Sequence, residues 1–165
     1  MSHATASLSE IRSFRHISDS LGTAGQPTEN QFQAVQAAGF EVVVNLALPT
    51  SDNALTNEGS IISGLGMSYV HIPVNFQNPT PQDFESFCRV MKAYEARRVF
   101  VHCAANMRVS AFVFLYRVLH QGIAIAAAEP DLQAIWQPDE VWSRFIQQQL
   151  MQISNFEVRI PNGCE

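Results

Sequence analysis

Several features that would narrow the function of a 165-residue chain are scarce or missing here. The sequence carries ten Lys and Arg residues against fifteen Asp and Glu, and no basic cluster, so it lacks the electrostatic footprint of a nucleic-acid-binding surface. No run of about 18 apolar residues occurs, and the opening MSHATASLSEIRSF is not apolar enough for a signal peptide. We therefore expect neither a nucleic acid nor a membrane as partner.

Cysteine is also scarce, and its spacing excludes common structural uses. The three cysteines, Cys88, Cys103 and Cys164, are an odd number without CxxC spacing, which argues against a disulfide framework and a structural zinc site. Cys88 lies in a helical stripe and Cys164 in a tail, so neither is expected to be functional. Reduced thiols predict a cytoplasmic location, although a leader removed earlier would leave the same sequence.

Helix and strand patterns alternate through most of the chain. Helices are expected over about 29–38, 58–65 and 83–96, and buried strands over EVVVNLAL, MSYVHIPV and RRVFVHC. One or two short strands are expected in the segment that ends with LGTAGQP. This alternation, with 47% hydrophobic residues, predicts one α/β domain over 1–165, in which helices flank a mostly parallel central sheet in three layers.

The part of the chain over about 123–160 is expected to be helical. AIAAAEPDLQAIW and PDEVWSRFIQQQLMQI have helical patterns, and Pro138 suits a first helical turn. Large apolar residues are expected to form a helical face that covers the sheet, namely Trp136, Trp142, Phe145 and Ile146. No catalytic residue is predicted in this part.

The stretch VFVHCAANMRVSAF contains the candidate site. A strand-loop-helix unit turns successive backbone N–H groups inwards and adds the positive end of a helix dipole, which makes a pocket for a tetrahedral anion. Cys103 at the loop entrance would be a nucleophilic thiolate in this field, and Arg108 supplies a planar fork for two oxygen atoms. Ser110 would donate to the sulfur, and His102 would bond to the loop backbone. The alternative is that Cys103 is a buried apolar residue and Arg108 a solvated one. That alternative explains less well why an apolar strand, His-Cys, a small loop, Arg, Ser and an apolar helix occur together.

This stretch resembles the signature loop of the cysteine-dependent protein tyrosine and dual-specificity phosphatases, in which His-Cys opens the loop and Arg followed by Ser or Thr closes it. TAGQPTENQF, AGFEVVVNLAL and MSYVHIPVNFQNPTPQDFESF are similar to a small bacterial DUF442-like group. The resemblance therefore covers about 18–122. It implies a compact phosphatase fold and hydrolysis of phosphomonoesters through a phosphocysteine intermediate.

The resemblance also implies roles for individual residues. Cys103 would be the nucleophile, Arg108 the phosphate clamp and Ser110 the group that assists the leaving sulfur, with His102 in support. Six N–H groups would cradle the phosphate, those of Ala104, Ala105, Asn106, Met107, Arg108 and Val109. The expected partner is a phosphorylated small molecule, a phosphoprotein, or a phosphate or sulfate ion, and no cofactor or metal is implied.

The sequence departs from the family pattern in the signature loop and at the general acid. Four residues separate Cys103 from Arg108 where the family has five, and Asn106 replaces a central glycine, although asparagine enters left-handed backbone conformations readily. The family's general acid is an Asp about 30 residues upstream of the cysteine, where this chain has Asn75, which cannot donate a proton in that role. Asp83 is the nearest carboxyl group and a weak candidate for the acid, because it also suits a helix N-cap.

Three functions are therefore compared. The first is a phosphatase of modest activity that prefers aryl phosphates such as phosphotyrosine, whose leaving groups need little protonation. The second is a catalytically impaired pseudophosphatase that only binds phosphate or sulfate groups. The third is a rhodanese-like sulfurtransferase, since that class also has four residues between Cys and Arg, but the flanking residues resemble phosphatases more.

Overall fold

A computed structural model describes residues 7–159, with side chains as far as residue 152. Strands β1 to β5 cover Arg15–Ser18, Leu21–Ala24, Val42–Asn45, Ser68–His71 and Val99–His102. Helices α1 to α6 cover Glu29–Ala37, Glu58–Gly64, Pro81–Ala93, Met107–His120, Ile125–Gln133 and Glu140–Arg159, and a short 3₁₀ helix covers Leu8–Glu10. Each expected helix and strand is present, with ends within a few residues of the prediction, except that α6 runs beyond its predicted end. Cys164 lies outside the described residues.

The strands form one sheet in the order β1-β2-β5-β3-β4. β1 pairs with β2 in antiparallel fashion, and the other three pairings are parallel, so the predicted mostly parallel sheet is confirmed. All four residues of β3 and of β5 are buried, as expected for central strands. The expectation that MSYVHIPV is a buried strand is wrong, because β4 is an edge strand with exposed ends.

Two apolar clusters cover the two faces of the sheet and confirm the three-layer arrangement. Successive residues of a strand point to opposite faces, so Val43 packs with the 3₁₀ helix, α1 and α2, while Val42 and Val44 pack with α3 to α6. Phe100 of β5 belongs to the first cluster and Val101 to the second. The sheet is thereby covered on both sides.

Helix α4 is buried along most of its length. Every residue from Arg108 to Tyr116 is buried, as is typical of a helix that is apolar all round. The ring of Phe112 lies 5.8 Å from that of Trp142 and 5.9 Å from that of Phe145, which confirms the predicted core-covering face for the residues of α6. Trp136 was wrongly expected on a helix, because it lies in the connection between α5 and α6. Because α4 follows β5 after residues 103–106, its first turn lies at the carboxyl edge of the central strands, where open parallel sheets bind ligands.

Two helix starts differ from the prediction. Thr80, not Asp83, is the N-cap of α3: its Oγ1 accepts from the N–H of Asp83 at 3.1 Å, and Asp83 Oδ2 accepts from the N–H of Thr80 at 3.2 Å. Pro138 precedes the first turn of α6, because Asp139 Oδ1 accepts from the N–H of Trp142 at 2.9 Å and so caps the helix itself. In the described part of the chain, no helix combines the length and apolarity that a membrane crossing requires.

Candidate active site

The loop after β5 turns sharply at an asparagine. The N–H of Cys103 still donates to the carbonyl of Ala24 at 3.3 Å, and Asn106 then has a φ of 65°, which confirms the predicted tolerance of asparagine for a left-handed turn. The Asn106 side chain donates to the Ser13 carbonyl at 2.9 Å and to Thr23 Oγ1 at 3.2 Å. The turn is therefore tied to β2 and to the segment before β1.

The backbone N–H groups of residues 104–109 donate none of the well-formed hydrogen bonds found among the described residues. The loop is joined to the residue after β2 by an isolated antiparallel bridge between Ala105 and Gly25, in which the N–H of Gln26 donates to the Ala104 carbonyl. The next N–H, that of Ser110, donates to the Asn106 carbonyl at 2.8 Å and begins the regular bonding of α4. A row of unpaired N–H groups at a helix N-terminus is a ready site for an anion.

A cavity of about 200 Å³ lies against this loop. It is lined by Phe76, Cys103, Ala104, Ala105, Met107 and Arg108. Cys103 is only 1% exposed, and it is one of the residues that line this cavity. The lining holds a thiol, a guanidinium and a phenyl ring but no carboxyl group.

Arg108 lies beside Cys103 in this cavity despite the short spacing between them. It is the second residue of α4 and only 6% exposed. Its Nη1 donates to the Val74 carbonyl at 3.0 Å, its Cζ lies 5.8 Å from the ring centre of Phe76, and its Nε has no hydrogen-bond partner. Because buried donors are normally paired, the unpaired Nε of Arg108 is available to donate a hydrogen bond to a bound anion.

Ser110 is held by two groups other than the sulfur. Its hydroxyl donates to the Met107 carbonyl at 2.9 Å and accepts from Trp136 Nε1 at 3.1 Å. Donation to Cys103 would require this hydroxyl to rotate. Trp136 was expected only in the core-covering face, but it is half-buried and contacts both Ser110 and the ring of Phe76, 5.7 Å away.

A buried pair of side chains, His102 and Glu58, packs next to the loop and was not found from the sequence. His102 Nδ1 faces the Cys103 carbonyl at 3.2 Å, in agreement with the predicted bond to the loop backbone, and Nε2 lies 2.9 Å from Glu58 Oε2. Gln26 Nε2 donates to Glu58 Oε1 at 2.6 Å. Burial raises the pKa of Glu58, but the hydrogen bond and charge of His102, with hydrogen bonds from Gln26 and Tyr69, hold it below its ordinary value.

The two candidates for the general acid are engaged in turns outside the cavity lining. Asn75 is exposed, and its Oδ1 accepts from the N–H of Gln77 at 2.9 Å. The Asp83 carboxylate accepts from the N–H of Thr80 in the capping box of α3. Among the side chains that the structure describes, those of residues 7–152, no three His, Cys, Asp or Glu come close enough together to hold a metal ion.

Comparison with known families gives one match over most of the chain. Residues 12–153 match the model of a family described as DSP-PTPase phosphatase fused to NAD+ kinase. A beta-lactamase hydrolase-like protein of Agrobacterium fabrum is 33% identical over 96 residues, which are 56% of this chain and 22% of that protein. The chain thus spans about a fifth of the length of this curated relative.

Solved structures share the fold. A candidate phosphatase (DUF442) from Shewanella putrefaciens CN-32 is 33% identical, with a TM-score of 0.79 over 88% of this chain and 95% of that one. TpbA of P. aeruginosa, solved in complex with pTyr, is 17% identical, with a TM-score of 0.66 over 87% of this chain and 91% of that one. At this lower identity the similarity shows the fold alone.

Proposed function

The chain belongs to the family of DSP-PTPase phosphatases described as fused to NAD+ kinase, and from this premise we propose that it hydrolyses phosphomonoesters through a phosphocysteine intermediate at Cys103. The row of unpaired N–H groups from residues 104–109, which directly follows the buried thiol in the chain, carries the proposal. These donors match the oxygen atoms of a phosphoryl group, and Arg108 adds a positive charge in the same cavity.

The proposed reaction has two displacement steps. The Cys103 thiolate attacks phosphorus, a sulfur–phosphorus bond forms, and the bond from phosphorus to the ester oxygen breaks. Water then attacks the phosphocysteine, the sulfur–phosphorus bond breaks, and inorganic phosphate leaves with the thiolate restored. In both steps the N–H groups and Arg108 stabilise the negative charge on the equatorial oxygens of the transition state. Such stabilisation by fixed donors is usually the largest single contribution to lowering the activation barrier.

Aryl phosphates are the proposed substrate class. No carboxyl group lines the cavity, so the departing oxygen receives no proton from a positioned acid. A phenolate leaves without such help far more readily than an alkoxide. The ring of Phe76 at the cavity wall also suits contact with an aromatic leaving group.

An impaired phosphate-binding protein is the alternative that specific contacts favour. Asn75 occupies the place expected for the acid, Nη1 of Arg108 donates to the Val74 carbonyl, and the Ser110 hydroxyl donates to the Met107 carbonyl.

Measured turnover distinguishes a phosphatase from a protein that only binds phosphate. A phosphatase releases p-nitrophenol from p-nitrophenyl phosphate between about pH 5 and 8 and is inhibited by vanadate. A binding protein does not, yet phosphate stabilises it. Thiosulfate and cyanide, assayed in parallel, test sulfur transfer.

Asn75→Asp is expected to raise hydrolysis of phosphoserine by about tenfold or more. The introduced carboxyl can supply the missing proton, and its oxygen can still accept from the N–H of Gln77, so the turn is preserved. The ratio of kcat/KM for phosphoserine to kcat/KM for p-nitrophenyl phosphate measures the effect. Asn78→Asp, an equal change at an exposed residue of the same segment, is the control. An equal ratio in both variants would contradict the assignment of Asn75 to the acid position.

Asp83→Asn is expected to leave turnover within about twofold of the native protein and to lower the Tm by about 1–4 °C. The Asp83 carboxylate accepts from the N–H of Thr80, and an amide oxygen accepts less strongly there and loses the favourable charge in the first turn of α3. Turnover of p-nitrophenyl phosphate and thermal melting measure the two effects. A tenfold loss of turnover without loss of stability would instead identify Asp83 as the acid.

A further inference from the structure

The carbonyl groups of the anion loop are held on the side away from its N–H groups. The C=O and N–H of one trans peptide unit point in opposite directions, so an N–H that faces an anion requires a carbonyl that faces a donor elsewhere. The Cys103 carbonyl faces His102 Nδ1 at 3.2 Å. The Ala104 carbonyl accepts from the N–H of Gln26 at 3.2 Å and from Asn53 Nδ2 at 3.2 Å.

Two of these three donor residues are joined by one carboxylate. Glu58 Oε2 contacts His102 Nε2 at 2.9 Å, and Glu58 Oε1 accepts from Gln26 Nε2 at 2.6 Å. Glu58 is 5% exposed and His102 is completely buried, so water does not compete for these bonds. The Glu58 carboxylate therefore contacts both His102, which holds the Cys103 carbonyl, and Gln26, which holds the Ala104 carbonyl. These carbonyls belong to the first two peptide units of the loop.

The contact at Nδ1 defines how the His102 ring supports the loop. A backbone carbonyl can only accept, so Nδ1 donates to the Cys103 carbonyl. Nε2, on the opposite side of the ring, lies against the Glu58 carboxyl group, which holds the ring in the orientation that this hydrogen bond requires.

We propose that Glu58 is a positioning residue of the anion site, which holds His102 and Gln26 so that the loop N–H groups face the bound phosphoryl group. The expected effect on catalysis rests on the proposed function, whereas the effect on phosphate affinity can be measured without any turnover. Glu58 does not touch the substrate. Its effect reaches the site through the carbonyls of Cys103 and Ala104.

Glu58→Gln is the direct test, with inorganic phosphate as the probe. A neutral amide at this position weakens the contacts that the carboxylate makes with His102 and Gln26, so the Cys103 and Ala104 carbonyls are held less firmly. We expect the dissociation constant for phosphate to rise about tenfold and kcat/KM for p-nitrophenyl phosphate to fall about 10- to 100-fold. Glu85→Gln, an equal change at an exposed glutamate whose partner is the surface residue Arg89, is the matched control.

A role in stability alone predicts a different result. Breaking a buried ion pair destabilises a protein, but a folded molecule well below its Tm would then bind phosphate with native affinity. Native affinity in Glu58→Gln, measured by calorimetric titration at such a temperature, would overturn the proposal. If the native protein binds phosphate but shows no turnover, the proposed reaction fails while the comparison of affinities still decides the role of Glu58.

Asn53→Ala is a second test that does not disturb the buried pair. Asn53 is half-buried in the segment between β3 and α2, and its Nδ2 donates to the Ala104 carbonyl. We expect its removal to raise the dissociation constant for phosphate about two- to fivefold, less than Glu58→Gln, because the N–H of Gln26 still holds this carbonyl. Unchanged phosphate affinity in both Asn53→Ala and folded Glu58→Gln would show that the hydrogen bonds to the loop carbonyls do not determine how well the loop binds phosphate.

Discussion

Cys103→Ser is expected to lower the turnover of p-nitrophenyl phosphate by at least about 10³-fold. A serine hydroxyl is a weak nucleophile unless a neighbouring base takes its proton, and the cavity lining offers no such base. Both ring nitrogens of the neighbouring His102 are occupied, by the Cys103 carbonyl and by Glu58. The variant retains the N–H groups and Arg108, so inorganic phosphate should still raise its Tm.

Cys88→Ser provides the matched control. Cys88 is buried in α3, and burial together with the charge of Glu85 raises the pKa of its thiol to about 12, so it is not a thiolate at neutral pH. Its replacement should leave kcat/KM within about twofold of native at a temperature well below the Tm. Substantial turnover in Cys103→Ser, or an equal loss in both variants, would contradict the assignment of the nucleophile.

Arg108→Lys is expected to lower kcat/KM by about 10²- to 10³-fold. The guanidinium donates to the Val74 carbonyl through Nη1 and still has an unpaired Nε, so it can hold its position and bind an oxygen atom at the same time. A lysine ammonium has no planar fork and cannot make both contacts in this geometry. The short spacing from Cys103 makes this variant informative, since an arginine without a role in the reaction would tolerate the change.

Arg144→Lys serves as the control for this substitution. Arg144 is exposed on α6 and pairs with Glu140 on the same helix, a surface ion pair of little energetic weight. Steady-state kinetics and calorimetric phosphate binding measure both variants. Native kinetics in Arg108→Lys would limit Arg108 to a packing role against Phe76 and Val74, and would favour phosphate binding without catalysis as the function.

The local sequence determined most of the scaffold. The Val and Phe residues of VVVN and VFVH are β-branched or aromatic and point to both faces, so these segments favour strands buried on both sides, as β3 and β5 are. Thr28 caps α1 through a capping box with Gln31, and the left-handed Asn106 is tolerated at the loop turn, because both features depend on neighbouring residues only. The order His-Cys, small loop, Arg likewise located the candidate site.

The prediction of MSYVHIPV as a buried strand failed for a non-local reason. Its composition fits a central strand, but β4 pairs only with β3 and occupies the edge of the sheet. Strand order depends on how the connections cross the sheet, and the residues of one strand do not encode it. The start of α3 differs for a local reason, since Thr80 and Asp83 together form a capping box in which Asp83 is the third helical residue.

The surroundings of the thiol were decided by the tertiary structure alone. Glu58 lies 44 positions before His102 in the chain, and Trp136 lies 26 positions after Ser110, so no sequence spacing connects them. In the sequence, Glu58 is an acidic residue in a first helical turn and Trp136 is part of an apolar stripe. The sequence by itself determined which residues bear the chemistry and which segments carry them. Folding decided which buried donors and acceptors meet, because a buried polar group must find a partner and packing brings that partner from a distant segment.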